Sequence, residues 1–300
     1  MPFEGFGVQL DLSIVIVSYN TCGMLRNCLK ALPAATEGLV TEIFVVDNDS
    51  PDDSAAMVAS EFPDVVLTAS KENNGFTKGN NIALRQAVGR NVLLLNPDTE
   101  AAPGSLTLLS RYLDLHSCVG AVGPKLLNTD GSLQHNGAPL PTLWHDLLEH
   151  TGLWKLSPGM TQPLWRYGRE DFGQECEVES VMGACLMLRK AVLDQVGLLD
   201  EAFFMFYEEI ELCWRLRRAG FTIVYLPHSC VVHHWMGSVR QQKKAMTHRL
   251  FLSMAIYYRK TQGMRGAAVY PIVWYGLLKN EWLYFGVAVK RRLRAAKLIR

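Results

Sequence analysis

Three short polar clusters in this chain follow directly after apolar, β-branched segments. They supply carboxylate, amide and hydroxyl groups, and they are Ser18-Tyr19-Asn20, Asp47-Asn48-Asp49-Ser50 and Asn96-Pro97-Asp98. Oxygen ligands of these kinds bind hard divalent cations. Because ligands sit at the carboxyl ends of the strands in α/β sheets, three clusters in equivalent positions predict one shared binding site.

A second set of residues could perform acid–base chemistry. Glu208 and Glu209 stand at the beginning of a predicted helix, and His233 and His234 end an apolar segment. Carboxylates and imidazoles are general acids and bases, and both can ligate a metal. The alternative for Glu208, Glu209 and Glu211 is a favourable contact with the helix dipole. Adjacent strand residues face opposite ways, so only one of the two histidines should face the site.

The spacing of apolar residues predicts the elements that position these groups. Buried strands are expected at 12–19, 42–47, 65–68 and 91–96, and helices at 24–32 (stopping at Pro33), 52–62, 80–88 and 103–116. This alternation predicts an α/β sheet with parallel strands over about the first 125 residues. A hairpin is expected at 125–136 and an irregular stretch at 139–176. Further strands are expected at 178–182, 184–188, 221–226 and 231–234. One more helix is expected at 209–219, and two helical stretches from about 241.

Several familiar kinds of site are excluded. The turn after the first strand lacks GxGxxG, and the chain has no GK[ST] P-loop, no GxSxG and no HExxH. Seven cysteines at irregular spacing, without CxxC, disfavour a disulfide framework and indicate a reducing compartment. With 49% apolar and 20% charged residues, the chain is not a disordered protein.

Charge divides the 300-residue chain into two unequal parts. Residues 1–234 hold 16 Lys and Arg against 28 Asp and Glu, and residues 235–300 hold 14 against one, Glu281. The uncharged run between Arg265 and Lys279 has 13 residues, too short to span a bilayer, and no signal peptide is expected at the N-terminus. Aromatic and basic residues interleave after 241, which predicts association with an anionic membrane surface. The alternatives are a helical pair packing on the body, as a homodimer interface for example, and nucleic-acid binding, which we do not expect.

Seven segments, taken in order, resemble the inverting family-2 glycosyltransferases with the GT-A fold, and most closely the bacterial rhamnosyltransferases of cell-surface polysaccharide synthesis. They are 14–20, 45–50, 73–80, 95–98, 183–188, 204–215 and 232–235. The resemblance implies a Rossmann-like, mixed and mainly parallel nucleotide-sugar-binding sheet with helices on both faces and a C-terminal helical extension. It implies a catalytic domain at 1–240, with a nucleotide-binding half at about 11–125 and an acceptor half at about 126–240. Residues 241–300 form the basic, aromatic extension.

The resemblance also implies which residues meet the nucleotide-diphosphate sugar donor. These are Ser18, Tyr19, Asn20, Asp47, Asn48, Asn74, Gly75, Lys78, Asn96 and Asp98. Two of them have a simpler explanation: Asp47 could cap the helix that begins near residue 52, and Lys78 could be a solvated lysine at a helix start. The tryptophans of segment 139–176 are expected to pack rather than to stack on sugars.

The segment Asn96-Pro97-Asp98 occupies the slot of the family's DXD motif, but Asn96 replaces the first aspartate. Asp98 is therefore the expected ligand of a divalent cation, Mg²⁺ or Mn²⁺, and His233 is the expected second ligand, with His234 as the alternative. Glu209 takes the place of the general base, one methylene longer than the usual aspartate, and Glu208 is the alternative base. Gly183 and Ala184 are expected on the acceptor side, where small residues allow close approach.

The predicted function is inverting transfer of a sugar, with L-rhamnose from dTDP-rhamnose as the family-level choice, to a hydroxyl of a growing, lipid-linked surface glycan. The expected location is cytoplasmic, peripheral on the inner face of the cytoplasmic membrane. Two alternatives stay open. The missing DXD carboxylate and the missing Asp base favour a catalytically inactive nucleotide-sugar-binding scaffold. A sugar nucleotidyltransferase would need a Gly-rich, basic loop after the first strand, and Ser18–Cys22 is neither.

Overall fold

The structure, a computed structural model, describes residues 10–156, 173–235 and 243–295. Its strands are β1 Leu12–Ser18, β2 Thr41–Asp47, β3 Val66–Ala69, β4 Asn91–Leu95, β5 Thr99–Ala101, β6 Val119–Leu127, β7 Leu133–Gln134, β8 Cys176–Val178, β9 Cys185–Arg189 and β10 Thr222–His233. Its helices are α1 Cys22–Ala35, α2 Ser54–Glu61, α3 Gly75–Leu84, α4 Ser105–Leu115, α5 Leu143–Thr151, α6 Lys190–Val196, α7 Glu208–Arg218, α8 Lys243–Gln262 and α9 Tyr270–Ala295.

The strands form one mixed sheet. Its order is β3-β2-β1-β4-β9-β6-β10-β5, with β7 paired to β6 and β8 paired to β10. Of the eight strands along this path, β9 and β5 run against the other six. The parallel set β3-β2-β1-β4 brings the ends of β1, β2 and β4 to one edge, as the alternating sequence pattern predicts.

Alternation along the strands builds a core on each face of the sheet. Ile14 and Ile16 of β1 pack with α1, α2 and α4, whereas Val15 and Val17 pack with α3, α6 and α7. Because successive side chains of a strand point to opposite faces, a strand that is buried throughout, such as β1, is covered on both sides. The prediction of a mainly parallel sheet with helices on both faces is confirmed.

A third apolar cluster joins the C-terminal helices to the body. Phe251, Met254, Tyr257 and Tyr258 of α8 are buried there against Phe203. The same cluster takes in Tyr207, Val269, Ile272 and Val273. No helix among the described residues is both long and apolar enough to cross a bilayer. The expected boundary at 240/241 lies outside the described residues.

Several predicted elements differ from the structure. The helix expected at 80–88 begins at Gly75, because Asn73 accepts a hydrogen bond from the Gly75 amide (2.9 Å) and starts the turn earlier. Pro33 does not end α1, which continues to Ala35, although proline lacks the N–H that would donate to the Leu29 carbonyl. The two segments expected at 221–226 and 231–234 are one strand, β10, with a register shift between Leu226 and Cys230.

Three short elements have no counterpart in the sequence prediction. These are β5, α5 and α6. The stretch expected to be irregular, 139–176, contains α5, whose start is marked by Thr142 accepting from the His145 amide (3.3 Å). Within that stretch, residues 157–172, and with them Trp165, lie outside the described residues. The hairpin expected at 125–136 is present as β6 and β7.

Candidate active site

The site begins where β1 and β2 end side by side. Ser18 and Asp47 are register partners in this parallel pair, and the Asn48 amide donates to the Ser18 carbonyl (2.9 Å). Asp47 is buried, and its Oδ2 accepts from the Ser50 amide (3.0 Å). Its Oδ1 is buried without a hydrogen-bond partner among the described residues. Such an orphaned oxygen needs a donor from a ligand or water, because leaving it desolvated is costly.

The sequence left open that Asp47 caps the helix near residue 52, but in the structure a different aspartate takes that position. Asp52 Oδ1 accepts from the Ser54 amide (3.1 Å) at the beginning of α2. Asp47 therefore shapes the turn after β2 and leaves the helix start to Asp52. Its free oxygen remains a candidate for contact with a nucleotide.

The loop before α3 is held tightly against a distant segment. Asn48 Nδ2 donates to the Gly75 carbonyl (2.8 Å), and the Phe76 amide donates to the Phe204 carbonyl (2.8 Å). Gly75 has φ +74°, and a Cβ there would lie 2.5 Å from the Phe204 carbonyl oxygen. Glycine is required at this position by both its left-handed backbone and this close approach.

A cavity of ≈ 220 Å³ opens at this edge of the sheet. Ten of the residues selected from the sequence line it: Tyr19, Asn48, Gly75, Asn96, Asp98, Gly183, Ala184, Glu208, Glu209 and His233. Five others do not line it: Ser18, Asn20, Asp47, Asn74 and Lys78. The structure thus brings together residues from both halves of the chain.

The five residues outside the cavity lining have different surroundings. Ser18 Oγ shares a hydrogen bond with Thr21 Oγ1 (2.9 Å), and the Asn20 amide donates to Ser50 Oγ (2.9 Å). Asn74 caps α3, and Lys78 is exposed on that helix. Ser18 and Asp47 therefore stabilise the turns beside the cavity. Lys78 would reach a ligand only through its long side chain.

His233 and Asp98 face each other across the cavity. His233 Nε2 lies 3.4 Å from Asp98 Oδ1, and both side chains are more than nine-tenths buried. His234 points elsewhere: its Nε2 pairs with Glu100 Oε1 (2.8 Å). The expected division of the two histidines between opposite faces of β10 is present, and His233 is the one beside Asp98.

The tautomer of His233 follows from Gln134. Gln134 Nε2 donates to the His233 carbonyl oxygen (2.5 Å) and to Asn128 Oδ1 (2.7 Å), which fixes the orientation of the amide. Gln134 Oε1 is therefore left to accept from His233 Nδ1 (2.9 Å). The other ring nitrogen, Nε2, then lies beside the Asp98 carboxylate, so an imidazole nitrogen and a carboxylate oxygen, both common metal ligands, stand next to each other.

These residues fit a divalent cation that also binds a diphosphate. Among the described residues no cluster of three or more His, Cys, Asp and Glu could enclose a metal. Mg²⁺, however, is commonly held by one or two protein ligands together with substrate phosphates. Asp98 and His233 supply that number, and Gln134 orients the histidine as outer ligands usually do.

Glu208 and Glu209 form a buried acidic pair at the beginning of α7. Burial raises the pKa of both carboxyl groups, and the charge of Glu209 pushes the pKa of Glu208 further, well above its usual range. The backbone N–H groups of Glu209, Ile210 and Gly183 oppose the rise at Glu209. Three backbone N–H groups thus favour the ionised form of Glu209, against one at Glu208, and a general base must be ionised to accept a proton.

A second, larger cavity of ≈ 970 Å³ meets the first one at Glu209. Glu209, His233, Met182, Phe206 and Trp235 line both cavities, whereas Glu208 lines only the first. The remaining wall comes from the β6–β7 hairpin, α5 and the segment after β7. The arrangement can hold two substrates, with the Glu209 carboxylate between them.

Three polar residues of the site had no local signal in the sequence. Gln134 and Asp146 lie in short elements, and Asn136 lies in the loop after β7. Their partners are 99, 112 and 46 residues away, at His233, Tyr258 and Met182 respectively. Local sequence patterns therefore could not predict these hydrogen-bonded pairs.

Comparison with known proteins agrees with this geometry. The family model of glycosyl transferase family 2 matches residues 13–197. A curated N-acetylglucosaminyl-diphospho-decaprenol L-rhamnosyltransferase of Mycobacterium tuberculosis is 30% identical over 238 residues, covering 74% of this chain and 76% of its own length. A low-salt glycan biosynthesis hexosyltransferase of Haloferax volcanii is 31% identical over 219 residues, covering 71% of this chain and 64% of its own length.

Solved structures share the fold. A mannosyltransferase from Pyrobaculum calidifontis, solved with GDP-Man and Mn²⁺, superposes with a TM-score of 0.56 at 17% identity over 96% of this chain and 76% of its own. TarS of S. aureus, residues 1–349, superposes with a TM-score of 0.53 at 17% identity over 92% of this chain and 72% of its own. The family model covers more than half of the sequence and the sheet is that of GT-A enzymes, so this chain belongs to glycosyl transferase family 2, and glycosyl transfer is its activity.

Proposed function

We propose that this chain is an inverting glycosyltransferase that moves L-rhamnose from dTDP-rhamnose to a hydroxyl of a growing, lipid-linked surface glycan. The observation that carries the proposal is the junction of two cavities at Glu209 and His233. One cavity is lined by the donor motifs and the other by the hairpin and α5. The rhamnosyl donor and the lipid-linked acceptor are suggested by the relative from Mycobacterium tuberculosis, whose name specifies both a rhamnosyl group and a diphospho-decaprenol.

The nucleotide-binding half, about 11–125, holds the donor. Tyr19, Asn48 and Gly75 line the first cavity, and the unpaired oxygen of Asp47, the residue before Asn48, offers an acceptor for the nucleoside. Asp98 and His233 hold the divalent cation, Mg²⁺ or Mn²⁺. When bound, it supplies neutralisation of the charge on the departing nucleoside diphosphate.

The transfer step places one proton on Glu209. The carboxylate takes the proton of the acceptor hydroxyl, and the hydroxyl oxygen forms a bond to the anomeric carbon. The bond from that carbon to the diphosphate oxygen breaks on the opposite side, and the nucleoside diphosphate leaves with the electron pair. Burial and the charge of Glu209 raise the pKa of Glu208, which disfavours a second negative charge beside the ionised Glu209.

The acceptor half, about 126–240, offers a site for an uncharged sugar. Amide, hydroxyl and carboxylate groups line the second cavity, among them Asn136, Ser180 and Glu149. None of its described lining residues is Lys or Arg. A diphosphate would lack a cation there, so we place the sugar of a lipid-linked acceptor inside the cavity and its diphosphate at the entrance.

The 241–300 extension is proposed to lie on the inner face of the cytoplasmic membrane. One side of α9 exposes large apolar residues, of which Trp274, Trp282 and Phe285 are 64%, 76% and 66% exposed. Glu281, the one acidic residue of the 241–300 extension, forms ion pairs with Lys244 and His248 of α8 (both 2.9 Å). Aromatic side chains at headgroup depth and basic residues over anionic lipid are the usual arrangement of an interfacial helix.

A donor panel tests the proposed reaction. The full chain is incubated with dTDP-rhamnose, UDP-sugars and GDP-sugars, with Mn²⁺, with and without a synthetic N-acetylglucosaminyl diphosphoryl lipid, and product is identified by mass spectrometry. We expect glycosylated lipid and nucleoside diphosphate with dTDP-rhamnose. Donor binding without any transfer or hydrolysis would identify a scaffold, and formation of a nucleotide-sugar from a sugar phosphate would identify a nucleotidyltransferase.

A further inference from the structure

The segment that leads into the acidic pair has a strained backbone. Phe206 and Tyr207 have φ values of +71° and +67°, although neither is glycine. Consecutive left-handed residues with bulky side chains persist only where the surroundings hold them. Glu208 and Glu209 follow immediately, so the conformation of Phe203–Tyr207 decides where the two carboxylates stand.

Helix α8 holds this segment through one of its faces. Ser253 Oγ donates to the Met205 carbonyl (2.8 Å), and the Arg249 guanidinium lies 4.1 Å from the centre of the Phe204 ring. Arg249 and Ser253 are four residues apart, so they lie on the same face of α8 and contact the segment at two successive turns of the helix. Phe203 itself is buried in the cluster that α8 forms with the body.

A buried carboxylate connects α8 to Tyr207. Asp146 of α5 accepts through Oδ2 from Tyr258 Oη (2.6 Å) and from Tyr207 Oη (3.3 Å). All three side chains are buried, and Asp146 also lines the second cavity. Desolvation raises the pKa of Asp146 to about 6, and the two tyrosine hydroxyls act against that rise. The hydroxyls therefore favour the ionised, acceptor-only form of this group.

We propose that Asp146, Ser253 and Tyr258 are positioning residues, which hold the segment Phe203–Tyr207, with its left-handed Phe206 and Tyr207, and so set the place of Glu209 between the two cavities. The inference rests on the proposed function of Glu209 as the base. It assigns to the C-terminal extension a part in catalysis, separate from any contact with a membrane.

Tyr258→Phe and Tyr257→Phe form a matched pair of variants. Both tyrosines are buried in the same cluster of α8, but the Tyr257 hydroxyl makes none of the described hydrogen bonds to Asp146. Each variant loses one hydroxyl and keeps its ring. We expect Tyr258→Phe to lower kcat about tenfold or more, with a smaller change in the donor KM, because slight misplacement of a base is costly. Tyr257→Phe should stay within about twofold of the wild type, since nothing near the base changes.

Amide hydrogen exchange gives a second readout that needs no substrate. The amides of 203–211 should exchange faster in Tyr258→Phe and in Ser253→Ala than in Tyr257→Phe, at a temperature where all variants are folded. Equal exchange in Tyr258→Phe and Tyr257→Phe would overturn the inference. So would faster exchange with an unchanged kcat, because the bond would then serve stability alone. A wild-type chain inactive on the whole donor panel would instead refute the proposed function, and exchange would still decide whether α8 holds the segment.

Discussion

His233 Nδ1 and Gln134 Oε1 are 2.9 Å apart, although 99 residues separate them in the chain. The bond turns the other ring nitrogen, Nε2, toward Asp98. Gln134 in turn is held by the His233 carbonyl and by Asn128. A residue of the β6–β7 hairpin therefore sets the orientation of a side chain at the end of β10.

Removing Gln134 should weaken the response to metal. Gln134→Ala leaves His233 free to rotate, and loss of an outer partner typically costs 10- to 100-fold in metal affinity. We expect the Mn²⁺ concentration for half-maximal activity to rise about tenfold or more, measured by titrating Mn²⁺ into metal-free protein. His234→Ala is the control, because His234 pairs with Glu100 and should leave the titration unchanged. Equal shifts in both variants would contradict the assignment.

Asp98→Asn should abolish most of the transfer. The change keeps the size of the side chain but removes the one carboxylate in the Asn96-Pro97-Asp98 turn, and we expect a loss of about 100-fold or more. Circular dichroism should show an unchanged fold. Chelation of divalent cations should have a similar effect on the wild type. Full activity in chelator would mean that protein cations stabilise the leaving group instead.

Glu209→Gln should impair the chemical step far more than Glu208→Gln. Loss of a general base usually costs 10²- to 10⁴-fold in rate, and of the two glutamates Glu209 lines both cavities whereas Glu208 lines one. Donor affinity, measured by calorimetry, should be retained in Glu209→Gln. A crippled Glu208→Gln beside a nearly normal Glu209→Gln would move the base by one residue.

The pH dependence should carry the signature of the buried pair. Activity needs an ionised Glu209, so the acid limb of the rate profile should lie above the usual range of a glutamate pKa, and it belongs to the coupled pair.

The raised pKa of Glu208 should also lower the stability of the folded protein at neutral pH. The unfolded chain ionises this carboxyl group at a lower pH than the folded chain does, so stability falls as the pH rises above the unfolded pKa. Glu208→Gln should therefore raise Tm near neutral pH, and the gain should vanish below about pH 4.

The exposed face of α9 should be needed for binding to anionic vesicles. Truncation at Arg265 is a poor test, because it would uncover the cluster in which Val269, Ile272 and Val273 are buried. Replacing Trp274, Trp282 and Phe285 together by serine keeps that cluster intact. Co-sedimentation with phosphatidylglycerol vesicles should be strong for the wild type, weak for the triple variant, and reduced by salt. Equal sedimentation of both proteins, or of neither, would contradict the membrane proposal.

The sequence alone determined the sheet edge and most of the residues on it. Short β-branched runs such as 14–17 are typical of strands buried on both faces, and in a parallel sheet the polar residues that follow such strands lie at one edge. Ordered motifs identified the family. Local signals were enough here because strand burial, helix periodicity and motif order are all written within a few residues of chain.

Only the tertiary structure decided which groups act on each other. The choice of His233 over His234 as the neighbour of Asp98, the partner Gln134, and the Tyr258–Asp146–Tyr207 connection all join residues from distant segments. The left-handed backbone at Phe206 and Tyr207 likewise has no local cause, since neither residue favours it. Such features arise because packing of the whole chain brings in the partners that hold them, and no local pattern records a partner one hundred residues away.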